Sequence, residues 1–405
     1  MRIGVPYEEA QQMLLALPSI IMQTESVAVT EGRGRILAED LYASIPIPPF
    51  HRSPFDGYAF RGCDTAGASA GEPVTLRITE EIACGDVPTV QLSAGYAAKI
   101  LTGGMLPPGA DCTIKYEKTV FTAETVTLSK PVKPGTDIIL AGEDIPQGAV
   151  IARKGAVLTP ALLGLITAVG HSTVSVFNAP KALIINTGSE LISPGEPLPP
   201  GKIYNSGLVS LIGALEDMGI SAVPFSVIPD DPDLFATELS KALPLCDVVV
   251  STGGASVGDY DFCVAAAEKC GAEVLFRKAM IKPGGAMVAA QKDGKLLLML
   301  SGNPGSALMA LQFVARPYLL RLTGRENTFP EPIEVKLLQN FTKSSGRVRL
   351  LRGQMVFVQG EAYFEAFILQ SGGALSSFRE CDLIAEIPGD SPPLPAGTIV
   401  KAWRI

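Results

Sequence analysis

Histidine is nearly missing from this 405-residue chain, which has only His51 and His171. That inventory leaves almost no room for a Ser-His-Asp triad, an H-E-x-x-H zinc site or a histidine-rich metal cluster. The seven cysteines (Cys63, Cys84, Cys112, Cys246, Cys263, Cys270 and Cys381) are odd in number and widely spaced, and none forms a C-x-x-C. They read as reduced, mostly buried thiols, not as a disulfide or zinc framework. A surplus of positive charge is also absent: the net charge is -8, so no footprint for a phosphate backbone exists and nucleic acid is not the expected partner. No apolar run reaches the roughly 18 residues of a membrane span, and MRIGVPYEEAQQMLLALPSI carries acids where a signal peptide needs a basic segment. The expectation is a cytoplasmic protein with no membrane partner. Neither a G-x-x-x-x-G-K-[ST] loop nor a G-x-G-x-x-G fingerprint occurs. Any chemistry must therefore rest on carboxylates, lysines, backbone amides and a hard metal ion.

What is present is a large apolar fraction, 47% of residues, enough to bury several cores and to suggest roughly two to four domains. Residues 7–22 have apolar positions at helical spacing with acids in the first turn, and Pro18 is placed to end or kink that helix. From 44 to 145 the texture changes to short β-prone runs (PVTLRI, AAKIL, CTIKYEKTVF) separated by proline and glycine turns, a small all-β module. TPALLGLITAVG then predicts a helix with Thr159 as N-cap, and pairing with the first helix would make the β module an insertion. Between 181 and 323, strands and helices alternate, the pattern of a central α/β domain built on a parallel sheet, with Asn205 or Ser206 and Asp231 as caps. After 329, short strands return and predict a C-terminal β-barrel or sandwich. The expected division is 1–43 plus 146–178 helical, 44–145 β, 179–328 α/β and 329–405 barrel, a multidomain α+β chain overall.

Three times in the α/β region an apolar strand runs into a glycine loop and then a helix: ALIINTGSEL, DVVVSTGGASVGDYDF and KLLLMLSGNPGSAL. Loops at the carboxyl ends of parallel strands are where open α/β sheets bind ligands. Glycines there let backbone N–H groups approach an anion, and Ser251, Thr252 and Ser256 add hydroxyls around Gly253, Gly254 and Gly258. Thr187-Gly188-Ser189 and Gly302-Asn303-Pro304-Gly305-Ser306 make the other two cradles, with Asn303 able to cap and Pro304 suited to the first helical position. Between them lies RKAMIKPGG, whose Lys278 and Lys282 are point charges suited to phosphate or a tetrahedral oxyanion. Asp56, Asp144, Glu190, Asp230, Asp231 and Asp261 supply hard oxygen ligands that, together, can hold Mg²⁺ beside substrate phosphates.

These motifs, in this order, resemble the molybdopterin molybdenumtransferase family, the MoeA and gephyrin E-domain proteins. PPFHRSPFDGYAF, LTGGMLPPGADCTIKYE, AGEDIPQGAVI, NTGSELISPGEPLPPGKIYNS, IPDDP, STGGASVGDYDF, FRKAMIKPG and SGNPGSAL carry the likeness over nearly the whole chain. The resemblance implies an elongated homodimer of four-part subunits that inserts molybdate into adenylylated molybdopterin, with Mg²⁺-dependent release of AMP. Carried over motif by motif, the essential carboxylates fall on Asp56, Asp144, Glu190, Asp230 and Asp261, with Glu190 and Asp261 toward the metal. Substrate contacts fall on Thr187, Gly188, Ser251, Gly253, Gly254, Ser256, Gly258, Lys278, Lys282, Pro283, Gly302, Asn303, Pro304 and Arg347. The dimer would bring Asp56 and Asp144 to the α/β domain of the other subunit, and other cofactor-biosynthesis proteins are further expected partners.

Three segments depart from the family pattern. Lys282-Pro283-Gly284-Gly285-Ala286 stands for K-P-G-K-P, Ser301-Gly302-Asn303-Pro304-Gly305-Ser306 for L-P-G-N-P-V-S, and Ser371-Gly372-Gly373 for G-S-H. All fall on the oxyanion side of the expected site. They keep open a second reading, a paralogue that binds molybdopterin or its adenylate as a carrier, or that uses tungstate. A scaffold protein is a third reading.

Overall fold

The computed structural model describes residues 1–18, 22–254, 260–343 and 346–405, with Tyr260 and Asp261 described by their backbone alone. Its centre is a seven-stranded sheet in the order Arg2–Val5, Glu273–Ala279, Met287–Lys292, Lys295–Leu300, Val248–Thr252, Lys181–Thr187, Ser221–Ile228. The strands Val248–Thr252 and Lys295–Leu300 are almost wholly buried because helices cover both faces, which is why they read as unbroken Val and Leu runs. Alternate residues feed two cores. Ala182, Ile184, Val248, Val250 and Leu298 face one, and Leu183, Ile185, Val249 and Leu297 the other. Each such side chain contributes about 1.5–3 kcal/mol of burial free energy.

The sheet is mixed, not purely parallel. Met287–Lys292 runs antiparallel to both of its neighbours, Glu273–Ala279 and Lys295–Leu300. The cause is local: Asp293 (φ 53°) and Gly294 (φ 78°) form the two-residue turn that an Asp-Gly pair favours. The amino-terminal residues Arg2–Val5 join the same sheet in parallel beside Glu273–Ala279.

The helix at the start of the chain is Tyr7–Leu15, shorter than the span of apolar periodicity. It buries Tyr7, Ala10 and Leu14 in the main core of the α/β region, while the helix Pro160–Ala168 places Ile166 in a separate small core. The expected pairing of these two helices is therefore not what the structure shows. Thr159, Asn205 and Asp231 do cap their helices, accepting hydrogen bonds from the amides of Leu162, Leu208 and, for Asp231, both Asp233 and Leu234.

Residues on either side of the β module pair with each other, Thr24–Ala28 with Thr173–Phe177 and Leu41–Tyr42 with Val150–Ala152. Between them lies a six-stranded sheet made from Gly57–Phe60, Val74–Ile82, Tyr96–Ile100, Cys112–Lys115, Val120–Phe121 and Thr125–Leu128. In the carboxyl-terminal region five strands close on themselves: Val348–Val358, Glu361–Ala366, Ile333–Leu337, Ile399–Arg404 and Leu383–Ile387, the last pairing back to the first. The two-residue strand Ile281–Lys282 leaves the α/β region and pairs with Val348–Val358, setting Lys282 opposite Arg349.

Cys63, Cys84, Cys112, Cys246, Cys270 and Cys381 are free thiols, and Cys112, Cys246, Cys263 and Cys270 are buried. Burial pushes the Cys246 thiol up to about 11. A brief iodoacetamide pulse near neutral pH is expected to alkylate the exposed Cys63 and Cys84, and to reach Cys112 and Cys246 only after denaturation. Peptide mass spectrometry reads the outcome. Labelling of Cys246 in the folded protein would contradict the packing described here.

Candidate active site

The three glycine loops meet. Gly253 (φ 100°) crosses directly over the end of Lys181–Thr187, so closely that a Cβ on it would fall 2.2 Å from Thr187 Oγ1 and 2.4 Å from the Thr187 carbonyl oxygen. Gly302 lies against the same loop, its Cβ position 3.5 Å from Gly253 Cα. Gly188 is covered by the Glu190 carboxylate, whose oxygens stand 2.6 and 2.8 Å from where a Cβ would be. Strand order explains the meeting: Lys181–Thr187, Val248–Thr252 and Lys295–Leu300 are adjacent and parallel, so their carboxyl ends emerge side by side.

Three amides of these loops are already committed within the fold. Gly188 N donates to Ile228 O (3.0 Å), Gly253 N to Leu300 O (3.2 Å) and Ser306 N to Gly372 O (3.0 Å). Asn303 does not cap the helix that begins at Pro304; its own amide donates to Ser301 Oγ, and its side chain lines a cleft. The uncommitted polar atoms are on side chains instead. Asn186 Oδ1, Thr187 Oγ1, Ser251 Oγ and Asn205 Nδ2 are buried near the carboxyl end of the sheet without a hydrogen-bond partner among the described residues. Asn186 Nδ2 donates to Thr252 Oγ1 at 2.6 Å, fixing one side of its amide and leaving the carbonyl. Buried polar groups are almost always satisfied, and such exceptions mark places where a ligand completes the set. Asn186 went unnoticed in the sequence and Asn205 was read only as a cap. The signal was a polar residue ending an otherwise apolar parallel strand.

From Asn303 a cleft of about 520 Å³ continues toward the barrel, bounded by Lys282, Pro283, Gly285, Ser306, Arg347 and Gly372. The pairing of Ile281–Lys282 with the barrel strand beginning at Val348 is what brings Lys282 and Arg347 to one opening. Lys278 holds a left-handed backbone (φ 65°) just before the turn in which Ala279 N donates to Gly285 O. Left-handed backbone in a non-glycine residue costs of order 1 kcal/mol and tends to persist at functional positions. Gly285 and Gly372 are tightly placed: a Cβ on Gly285 would meet two carbonyl oxygens at 2.5 Å, and one on Gly372 would meet Ser306 Oγ at 2.1 Å. Thus the two departures SGNPG and SGG fit each other.

The carboxylates divide. Glu190 stands at the loop junction and is exposed, while Asp230 follows the strand end whose Ile228 carbonyl binds Gly188 N. Asp231 is engaged as a cap, accepting from Asp233 N (2.9 Å) and Leu234 N (3.0 Å). Replacing Asp231 with alanine is expected to lower stability by about 1 kcal/mol through the lost cap while sparing turnover. Asp230→Asn should do the reverse, and thermal melts beside a turnover assay separate the two. Asp56 accepts from both the amide and the hydroxyl of Thr102, each at 2.7 Å, which hold its carboxyl below the usual range. Asp144 is tied through its amide to Ile47 O. The hydrogen bonds of Asp56 and Asp144 stay within the β module, so a single chain does not join them to the loops. Ser256, Gly258 and the Asp261 side chain lie outside the described residues, although the helix Tyr260–Lys269 that carries Asp261 is described. Among the described residues no three histidine, cysteine or acidic side chains converge on a common point.

A mostly parallel α/β sheet with buried polar side chains at its carboxyl edge, beside a cleft lined by Lys282 and Arg347 that faces a small β-barrel, is the arrangement of a site for a small anionic ligand. Comparison with known proteins specifies it. Residues 5–170 match the model for the MoeA N-terminal region (domain I and II), 183–321 the probable molybdopterin binding domain and 334–405 the MoeA C-terminal region (domain IV). The molybdopterin molybdenumtransferase of Staphylococcus aureus is 31% identical over 399 residues, covering 98% of this chain and 95% of the relative. That of Staphylococcus epidermidis is 31% identical over 375 residues, covering 93% and 90%. Among solved structures, the molybdopterin biosynthesis moeA protein of Pyrococcus horikoshii OT3 superposes with a TM-score of 0.84 at 31% identity, over 99% of this chain and 100% of that one. The chain belongs to the molybdopterin molybdenumtransferase (MoeA) family and is an enzyme of molybdenum cofactor biosynthesis. Among the described residues no helix is long and apolar enough to cross a membrane.

Proposed function

We propose that the protein inserts molybdate into adenylylated molybdopterin, releasing AMP, in a Mg²⁺-dependent reaction. The observation that carries this reading is a juxtaposition at the loop ends: buried polar atoms of Asn186, Thr187, Ser251 and Asn205 without a partner among the described residues lie on the side of the Gly253–Gly302 contact where the strands end, and a cleft lined by Asn303, Lys282 and Arg347 opens toward the barrel. Neutral donors and acceptors suit a pterin, and fixed cations suit a tetrahedral oxyanion and phosphate. Lys278 and Lys282 orient the phosphate, Arg347 the oxyanion. Pro283 and Pro304 shape the cleft and its approach, and Gly253 and Gly254 allow the substrate to come close to the sheet.

The donor set fits Mg²⁺, which prefers one or two carboxylates completed by substrate phosphate and water. Glu190 and Asp261 would hold it, and bound there it would neutralise charge on the phosphoanhydride. Among the described residues the hydrogen bonds of Asp56 and Asp144 stay within the β module, which supports a homodimer in which the β module of one subunit reaches the α/β loops of the other. Six free thiols, at Cys63, Cys84, Cys112, Cys246, Cys270 and Cys381, support a reducing, cytoplasmic compartment.

The carrier reading draws its support from Gly285 and Gly372, which put no charge on one wall of the cleft. Single-turnover assay with adenylylated molybdopterin, Mg²⁺ and molybdate separates the readings. An enzyme releases AMP in step with metal incorporation, whereas a carrier binds the adenylate and releases none.

A further inference from the structure

Behind the wall of the cleft lies a fully buried arginine, Arg352, on the barrel strand Val348–Val358. Its Nη2 donates to Ser371 O (3.0 Å) and its Nε to Gln370 Oε1 (3.4 Å), and its guanidinium lies 5.0 Å from the centre of the Phe378 ring. Nη1 is buried and has no hydrogen-bond partner among the described residues. It stands 3.3 Å from where Gly305 would carry a Cβ, next to the Gly372 carbonyl, at the edge of the residues that line the cleft. No carboxylate is hydrogen-bonded or ion-paired to Arg352 among the described residues. A guanidinium in that setting is an uncompensated buried charge, costly unless something negative arrives.

The wall does not depend on the guanidinium for its shape. Gln370 Nε2 donates to the backbone carbonyls of Arg352 (2.7 Å) and Phe367 (2.8 Å), Ser306 N to Gly372 O (3.0 Å) and Ala374 N to Ser371 O (3.2 Å). What the side chain adds is charge, in surroundings of low dielectric where its field reaches the cleft with little screening. We infer that Arg352 is a specificity-determining residue of the cleft, a buried cation that selects a tetrahedral oxyanion from behind the Gly305–Gly372 wall without touching it. The inference rests on the proposed function for the identity of the anion, and adds a third cation to Lys282 and Arg347.

Titration calorimetry with molybdate alone tests it on the full-length protein. Arg352→Met removes the charge but keeps most of the volume, and should weaken molybdate binding about tenfold or more. Arg352→Lys keeps the charge while losing the fork to Ser371, and should stay within about threefold of the parent. Because the charge is buried, the gap between the parent and Arg352→Met should persist when salt is raised from about 0.05 to 0.2 M, unlike the loss caused by a surface cation. Equal weakening in both variants would show that the fork, not the charge, matters and would overturn the inference. So would unchanged binding in Arg352→Met, with the parent binding normally. A parent protein that binds no molybdate at all would overturn the proposed function as well.

Discussion

Replacing Gly253 with alanine is expected to abolish turnover, lowering kcat/KM by about 100-fold or more. Two constraints meet at this residue. Its φ of 100° lies where side chains are strained, and the added Cβ would sit 2.2 Å from Thr187 Oγ1, far inside contact distance. Strain and overpacking together amount to about 2–4 kcal/mol, which the protein can absorb only by lifting the loop off the strand end. Lifting it pulls Gly253 away from both Thr187 and Gly302, the two loop ends it holds together. Steady-state kinetics and a thermal melt check both halves: turnover lost, melting temperature lowered. Parent-like turnover in Gly253→Ala would show that the loop junction is not part of the working site.

Glu190→Gln should be nearly as damaging to turnover, by about 100-fold, but for a different reason and without loss of stability. The carboxylate is exposed and folds over Gly188, and no ion pair or side-chain hydrogen bond among the described residues holds it in the fold. A surface change of this kind shifts stability by no more than about 0.5 kcal/mol. The amide keeps shape and removes the negative charge, so a loss confined to kcat/KM, and partly restored by high Mg²⁺, would place the residue at the metal. Unchanged kinetics would remove it from the mechanism.

How much of this was legible in the sequence depends on the range of the interaction. Local signals read well for the caps at Thr159, Asn205 and Asp231, and for two of the three strand–glycine–helix repeats; after Thr187-Gly188-Ser189 the chain forms the short strands Leu191–Ile192 and Ile203–Tyr204 before a helix begins at Ser206. The Asp293-Gly294 turn was equally local and was passed over, which is why the antiparallel strand Met287–Lys292 was missed. The Arg2–Val5 strand could not be read locally, because its pairing partner Glu273–Ala279 lies about 270 residues away. Loop chemistry misled in one respect. Glycine-rich composition promises free amides, but whether an amide is free depends on which carbonyl the fold brings to it, and Ile228, Leu300 and Gly372 supply those carbonyls. Asn186 escaped notice at the end of an apolar run and Arg352 as the third of the closely spaced Arg347, Arg349 and Arg352; each acquires meaning only when burial leaves one of its atoms without a partner among the described residues.

The most direct test of the central claim is a single-turnover measurement on the purified protein given adenylylated molybdopterin, Mg²⁺ and molybdate, following AMP release and metal incorporation in one reaction. The account predicts that AMP appears only when molybdate is present and in equal amount to the metal incorporated. Tight binding of the adenylate with no molybdate-dependent AMP release would contradict it.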